Sequence, residues 1–127
     1  MDKYKSVFII EDDPSTARLM RQLIEAEGFL VFIAVNGLEA FEKLDVLDET
    51  HKPCLILCDL QMPIMTGWQF VEEAQRRHKV VTVPLVIHSS EPVTPPGYRA
   101  LCKPVDRVSL LAIVREHCGD ALKKERA

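Results

Sequence analysis

A strongly apolar run and the polar turn after it occupy residues 54–67, which read CLILCDLQMPIMTG. Its first five residues are apolar without alternation, which is typical of a central parallel strand covered by helices on both faces. Asp59 ends the run, and the segment after it contains a proline and a glycine, which favour a turn. The stretch therefore predicts a buried strand with a carboxylate at its carboxyl end.

Short apolar runs alternate with longer segments of helical period along the rest of the chain. Further strands are predicted at residues 7–10, 30–35, 85–88 and 99–102. Helices are predicted to begin after the N-cap residues Asp13, Asn36, Thr66 and Asp106. The third helix is expected to reach about His78, and Gly119 is expected to end the last one. This alternation predicts βαβ units around a parallel sheet, which is an α/β fold.

One connection departs from the alternation. Between the fourth and fifth strands the chain reads EPVTPPGY, residues 91–98, with three prolines among eight residues. Proline in a helix interior costs about 3 kcal/mol and restricts the residue before it to extended geometry. We therefore predict an extended, mobile loop here in place of the fourth crossover helix.

Length and charge limit the possible classes of protein. The 127 residues suit one domain, expected at 1–119, followed by a charged tail at 120–127. The formal net charge of -3 and the absence of a basic segment argue against direct nucleic-acid binding. The N-terminal apolar run, Val7 to Ile10, is too short for a signal peptide or a membrane span, so we expect a cytoplasmic protein without membrane contact.

The four cysteines form no CxxC pair. They are Cys54, Cys58, Cys102 and Cys118. Because three of them lie in or beside apolar runs, we expect small packing residues that stay reduced rather than a disulfide or a metal site.

Polar residues follow every predicted strand that ends near the central crevice, except the second. They are Glu11, Asp12, Asp13, Asp59, Ser89, Ser90 and Lys103. The carboxyl ends of parallel strands meet at one edge of the sheet, so these side chains are expected to lie close together. Clustered carboxylates repel one another unless a cation neutralises them, and oxygen ligands favour Mg²⁺. Asp13 is assigned mainly to capping the first helix.

The same residues belong to four motifs in a fixed order. They are EDD at 11–13, DLQMPIMTG at 59–67, PLVIHSS at 84–90 and KP at 103–104. With these motifs the chain resembles the receiver domains of bacterial two-component response regulators, and in length the stand-alone, chemotaxis-type members. The resemblance implies a flavodoxin-like, doubly wound five-stranded parallel sheet of order 2-1-3-4-5.

The resemblance also implies roles for individual residues. Asp59 would accept the phosphoryl group, while Ser89 and Lys103 would bind its oxygens. The implied Mg²⁺ ligands are Glu11, Asp12, Asp59 and the backbone carbonyl of Gln61. A carboxylate nucleophile with Mg²⁺ and an ammonium suits phosphoryl transfer, because these cations neutralise the charge on the transferred group.

The chain departs from the resemblance at three points, two on the output face and one at the acidic site. The spacing from Ser89 to Lys103 is short by about one helix, and Ala100 stands where receivers often carry a switching aromatic residue. Tyr98 lies close enough to replace that aromatic. Glu11 stands where an aspartate is more common. We therefore expect a remodelled output surface and a monomer or non-standard dimer. The resemblance further predicts a cis Lys103-Pro104 peptide bond.

The leading hypothesis is a phosphorylation switch in a two-component phosphorelay. Its partners would be a sensor histidine kinase or phosphotransfer protein and an output protein that the sequence does not name. An alternative is a degenerate receiver that acts as a phosphorylation-independent interaction module. A third is a phosphatase with an aspartyl-phosphate intermediate, disfavoured because Gln61 stands where such enzymes carry a second acid. His88 is expected to be a packed or capped residue.

Overall fold

The computed structural model describes residues 5–77 and 82–121. Five parallel strands form one sheet in the order β2-β1-β3-β4-β5, which confirms the flavodoxin-like topology. The strands are β1 (Ser6–Ile10), β2 (Leu30–Ala34), β3 (Leu55–Asp59), β4 (Leu85–Ser89) and β5 (Arg99–Cys102). Each predicted strand agrees with these bounds to within one residue at either end.

Four α-helices cover the sheet within the described residues. They are α1 (Pro14–Glu25), α2 (Gly37–Asp45), α3 (Gly67–Ala74) and α4 (Arg107–Cys118), with a short 3₁₀ turn at Glu49–His51. Gly119 ends α4 as predicted, with a φ of 70°. Helix α3 ends earlier than expected, and His78 lies outside the described residues, as do residues 122–127 of the predicted tail. None of the described helices has the length and apolarity needed to cross a membrane.

The helices begin at the four predicted caps. At α3, Thr66 Oγ1 accepts from the Gln69 N–H and Gln69 Oε1 accepts from the Thr66 N–H, which closes a capping box. At α2, the side chain of the predicted cap Asn36 accepts from the Glu39 N–H, and the Glu39 carboxylate accepts from the N–H of Val35.

Alternating side chains of the strands build a core on each face of the sheet. One core joins Phe8, Ile56 and Ile87 to residues of α2 and α3. The other joins Ile9, Leu57 and Val86 to residues of α1 and α4. Burial of both strand faces explains the unbroken apolar runs in the sequence.

Residues 91–98 form no helix, as the prolines predict. The segment is nevertheless held against the protein, since Pro95 is buried and Tyr98 packs against the core on the α2–α3 face. The Tyr98 hydroxyl accepts from Gln75 Nε2 at 3.1 Å, at the end of α3. Gly97 makes the turn into β5 with a φ of +86°, a conformation that favours glycine.

Two of the four cysteines contradict the prediction that all stay reduced. Cys54 and Cys118 form a disulfide between the residue before β3 and the end of α4. Their sequence separation of 64 concealed this pairing, because only the packing of α4 on the sheet brings the two ends together. Cys58 is free and buried, as expected, whereas Cys102 is free but exposed.

Candidate functional site

Three buried polar side chains stand in a row at the carboxyl edge of the sheet. Asp59 at the end of β3 pairs in register with His88 of β4, and Glu11 follows Ile10, whose partner in β3 is Cys58. Each of the three is in phase with the strand residues that face α1 and α4. Their ligand atoms lie within 4.8 Å of one another.

Lys103 brings a positive charge to two of these residues. Its Nζ lies 2.8 Å from Glu11 Oε1 and 3.2 Å from Asp59 Oδ1. The Lys103 N–H donates to the carbonyl of Ser89, which extends the β4–β5 pairing by one step. The Lys103-Pro104 peptide bond is cis, which confirms that prediction.

Burial governs the electrostatics of Glu11. Its side chain is 1% exposed, and this burial raises the pKa of Glu11 to about 7, even though the hydrogen bond from Lys103 lowers it. The second carboxylate oxygen accepts from the N–H of Asp13 at 3.0 Å. Burial is the largest single influence on the pKa of Lys103 and lowers it, but the contacts with Glu11 and Asp59 together outweigh burial and raise that pKa above its ordinary value. Glu11 and Lys103 therefore form an ion pair that is partly shielded from water.

Asp59 is buried and tightly positioned. The N–H of Leu60 donates to its Oδ1 at 2.8 Å. Helix α3 begins directly against this turn, since Gly67 donates to the Leu60 carbonyl and an added Cβ at Gly67 would lie 2.1 Å from the Asp59 carbonyl oxygen. Only glycine fits there without a shift of the backbone that carries Asp59.

The remaining predicted ligands lie at the rim of the site. Asp12 and Gln61 are exposed, and Asp12 is outside the cluster of Glu11, Asp59 and His88. Their roles as Mg²⁺ ligands stay predictions. Asp13 accepts from the Thr16 N–H at 2.9 Å, which confirms its role as a helix cap, and its bonds to Thr16 lower the pKa of Asp13.

Ser89 links the site to the proline-containing loop. The residue is buried, and its Oγ accepts from the N–H of Glu91 at 2.9 Å. A serine hydroxyl also carries a proton that it can donate to an anion. Ser89 is therefore the one predicted site residue that contacts the loop directly among the described hydrogen bonds.

Sequence reasoning missed the position of His88 within the cluster. The side chain is fully buried, as a packed histidine should be, but neither ring nitrogen meets the distance and angle of a hydrogen bond among the described residues, and only the backbone carbonyls of Ile10 and Leu57 interact with the ring as acceptors. Nδ1 lies 3.5 Å from Glu11 Oε1. Burial lowers the pKa of His88 to about 4, more than the Asp59 charge raises it. The sequence could have revealed this position through the two-residue spacing of His88 from Val86, which places His88 on the same face of the sheet as the two carboxylates.

The donors in this cluster fit a divalent cation. Two carboxylates, both nearly inaccessible to water, face the same point, and one lysine is the only described cation in contact with both. Buried charges of one sign require a compensating charge, which an ammonium and a metal ion can each provide. Hard oxygen donors of this kind suit Mg²⁺.

The chain belongs to the family of response regulator receiver domains, whose family profile matches residues 7–115. Receiver domains act in two-component signalling, where they are signalling proteins rather than classical enzymes, and they typically bind Mg²⁺ at an acidic site. The degenerate-module alternative is not favoured.

Individual relatives agree with this assignment. The polar-differentiation response regulator DivK of Brucella anthropi is 30% identical over 125 residues, covering 92% of this chain and 98% of the relative. Chemotaxis protein CheY4 of Vibrio cholerae superposes with a TM-score of 0.76 at 24% identity, over 89% of this chain and 98% of that one. The receiver domain of a Pseudomonas aeruginosa sensor histidine kinase superposes with a TM-score of 0.80 at 18% identity, over 91% and 98% of the two chains. That structure has a magnesium ion coordinated in its active-site cleft.

Proposed function

We propose that this receiver accepts a phosphoryl group on Asp59 in a Mg²⁺-dependent reaction and so acts as a switch in a two-component phosphorelay. One observation carries the proposal: the Lys103 ammonium contacts both buried carboxylates, 2.8 Å from Glu11 and 3.2 Å from Asp59. An ammonium at that point is placed to neutralise an oxygen of a phosphoryl group attached to Asp59. A purely structural ion pair would need only one of the two acids.

Asp59 supplies the nucleophile in this proposal. A carboxylate oxygen forms a bond to phosphorus while the bond from phosphorus to the donor breaks, and the donor leaves with the electron pair of that bond. The N–H of Leu60 and the close approach of Gly67 fix the orientation of the carboxylate. Lys103 would move its hydrogen bonds toward the oxygens of the added phosphoryl group, because they carry more negative charge than the free Asp59 carboxylate.

Glu11, Asp12, Asp59 and the Gln61 carbonyl would hold the Mg²⁺ ion. When bound, the ion neutralises charge on the phosphoryl group during transfer. Glu11 must be ionised to act as a ligand, so its hydrogen bonds from Lys103 and the Asp13 N–H favour the competent form. The two buried carboxylates, Glu11 and Asp59, support this site for Mg²⁺, because Lys103 beside them shows that they require a positive charge.

Ser89 would pass the signal to the output surface. Its hydroxyl oxygen accepts from the first residue of the segment 91–98, and a phosphoryl oxygen that accepts the hydroxyl proton would draw the side chain toward Asp59 and lengthen that bond. The sensor histidine kinase or phosphotransfer protein would deliver the phosphoryl group, and an output protein would bind near this loop. Since the loop lacks the crossover helix, we expect a monomer or a dimer that differs from the usual receiver dimer.

The proposal is tested by incubation with Mg²⁺ and acetyl phosphate, followed by intact-mass measurement. The wild type should gain one phosphoryl group, and Asp59→Asn should gain none. Asp120→Asn, an exposed aspartate beyond α4, is the matched control and should behave as the wild type. Omission of Mg²⁺ should abolish the gain.

The same experiment separates the three hypotheses. A phosphatase would consume acetyl phosphate over many turnovers without a lasting mass gain. A phosphorylation-independent module would show neither turnover nor mass gain. Either result would contradict the proposed switch.

A further inference from the structure

His88 is the one fully buried polar side chain of the cluster that the proposed phosphoryl transfer does not use. It lies next to Asp59 in the β3–β4 register, and the alternation of the strand turns it toward the face that carries Glu11 and Asp59. Its neighbour on that face of β4 is Val86, which is apolar and packs in the core. Another apolar residue at position 88 would continue that pattern, so the imidazole is the exception.

The imidazole has unused bonding capacity. Its side chain is 0% exposed, and neither Nδ1 nor Nε2 meets the distance and angle of a hydrogen bond among the described residues, although the backbone carbonyls of Ile10 and Leu57 interact with the ring. A buried polar group without a partner is costly, and most such groups in native proteins have one. Nδ1 lies 3.5 Å from Glu11 Oε1. One ligand atom from each of Glu11, Asp59 and His88 lies within 4.8 Å of the others, a spacing that one ion could bridge.

We propose that His88 is a third protein ligand of the cation held by Glu11 and Asp59, and that it makes the site prefer a divalent first-row transition-metal ion to Mg²⁺. The inference rests on the proposed function in one respect, since it takes these two carboxylates to be the cation ligands. It goes further by naming a ligand that the receiver resemblance does not assign and a different class of ion.

The preference follows from the chemistry of the donors. Mg²⁺ takes oxygen ligands and keeps much of its water, so a nitrogen donor adds little to its binding. Imidazole is a favoured ligand of transition-metal ions, whose affinity for nitrogen-containing sites rises from Mn²⁺ through Co²⁺ to Ni²⁺ and Cu²⁺. Lys103 contacts the same carboxylates, so a bound ion has to compete with its ammonium for Glu11.

The test compares Co²⁺ and Mg²⁺ affinities by calorimetry on untagged protein in a buffer that does not bind metals. His88→Leu replaces the imidazole with an apolar side chain that can pack in the core. His88→Gln is the second variant if the first does not fold. His51→Gln, which removes an exposed histidine far along the chain from the cluster, is the matched control. The ratio of Co²⁺ to Mg²⁺ affinity should fall at least about tenfold in the His88 variants and stay unchanged in His51→Gln.

A spectroscopic measurement identifies the nitrogen directly. Mn²⁺ bound to the wild type should show coupling to a ¹⁴N nucleus in pulsed electron paramagnetic resonance, and the His88 variants should lose it. A residue with only a structural role would change stability without changing this coupling or the affinity ratio. An unchanged ratio in the variants, or no ¹⁴N coupling in the wild type, overturns the inference.

Phosphorylation of Asp59 with Mg²⁺ and acetyl phosphate, measured on the same proteins, keeps the two proposals distinct. If the wild type is phosphorylated but shows no ¹⁴N coupling, the switch stands and the ligand role of His88 is wrong. If the wild type shows the coupling and the Co²⁺ preference but Asp59 gains no phosphoryl group, the metal site stands and the switch is wrong.

Discussion

Lys103 Nζ lies 2.8 Å from Glu11 Oε1, so a lysine that is 22% exposed neutralises a carboxylate that is 1% exposed, 92 residues earlier in the chain. Lys103→Met would leave that carboxylate buried without a neutralising cation. We expect the free energy of unfolding to fall by about 3 kcal/mol at pH 8. The loss should be smaller at pH 5, because Glu11 can then bind a proton. Urea unfolding at the two pH values measures both losses.

The matched control for this variant is Lys43→Met. Lys43 pairs with Glu39 at 3.4 Å on the surface of α2, and both side chains are well exposed. Exposed pairs contribute about 0–1 kcal/mol, so this change should have a small effect at either pH. Equal losses for Lys103→Met at pH 5 and pH 8 would contradict an ionised Glu11 as the cause.

Cation binding should depend on pH through Glu11. Because burial raises the pKa of this carboxyl to about 7, the group must release a proton to bind Mg²⁺ below that pH. We expect the apparent affinity for Mg²⁺ to rise by up to about tenfold per pH unit below 7 and to level off above it. Calorimetric titrations at pH 6, 7 and 8 measure the change. Glu11→Gln should bind more weakly with a flatter profile, and identical wild-type affinities at pH 6 and 8 would show that Glu11 is no ligand.

Acid should destabilise the fold through His88. Burial lowers the pKa of this imidazole to about 4 in the folded protein, below its ordinary value of 6.5. Between these values the unfolded chain binds a proton that the folded protein does not, so stability is complete above pH 6.5 and falls as the pH drops toward 4. Relative to His88→Leu, the wild type should lose up to about 1.4 kcal/mol per pH unit in this window.

Glu11 has a raised pKa, so its effect on stability changes with pH in the opposite direction to that of His88. Because Glu11 titrates in both proteins, this effect cancels when the wild type is compared with His88→Leu. Val86→Leu changes packing on the same face of β4 without removing a titratable group, and its profile should run parallel to that of the wild type. Unfolding by urea at intervals from pH 4 to 7 provides the profiles. A wild-type curve parallel to that of His88→Leu would refute the assignment of a depressed pKa.

The disulfide between Cys54 and Cys118 should contribute to stability. It closes a loop of 64 residues and so restricts the unfolded chain. We expect Cys118→Ser to lower the free energy of unfolding by about 2–4 kcal/mol under non-reducing conditions. Cys102→Ser, at an exposed free cysteine, should have little effect. If reductant lowers the stability of the wild type no more than that of Cys118→Ser, the bond is absent in solution.

The loop after β4 should respond to the state of Asp59. Ser89 Oγ accepts from the Glu91 N–H, and a phosphoryl analogue such as beryllium fluoride would accept the hydroxyl proton and draw the side chain toward Asp59, which lengthens the bond to Glu91. Amide exchange at Glu91 should therefore accelerate when the analogue binds, while amides in the middle of α4 should stay protected. Ser89→Ala should show fast exchange at Glu91 without the analogue. If amide exchange at Glu91 is the same with and without the analogue, the output surface does not include this loop.

Local patterns in the sequence were sufficient for most of the fold. Consecutive apolar residues in the third strand predicted a strand buried on both faces, and the caps at Asp13 and Thr66 predicted where helices begin. Three prolines in residues 91–98 predicted that a loop replaces the crossover helix between β4 and β5. These features depend on backbone sterics and on hydrogen bonds between near neighbours, so a short window of sequence contains their cause.

Contacts between distant segments were decided by the tertiary structure alone. The sequence placed Glu11, Asp59 and Lys103 at strand ends, but only the register of β1, β3 and β4 added the unpartnered His88 to them. The same holds for the disulfide between Cys54 and Cys118, which the chain separates by 64 residues. Partner choice, burial and the pKa values that burial shifts depend on which surfaces pack together, and no spacing along one strand or helix specifies that.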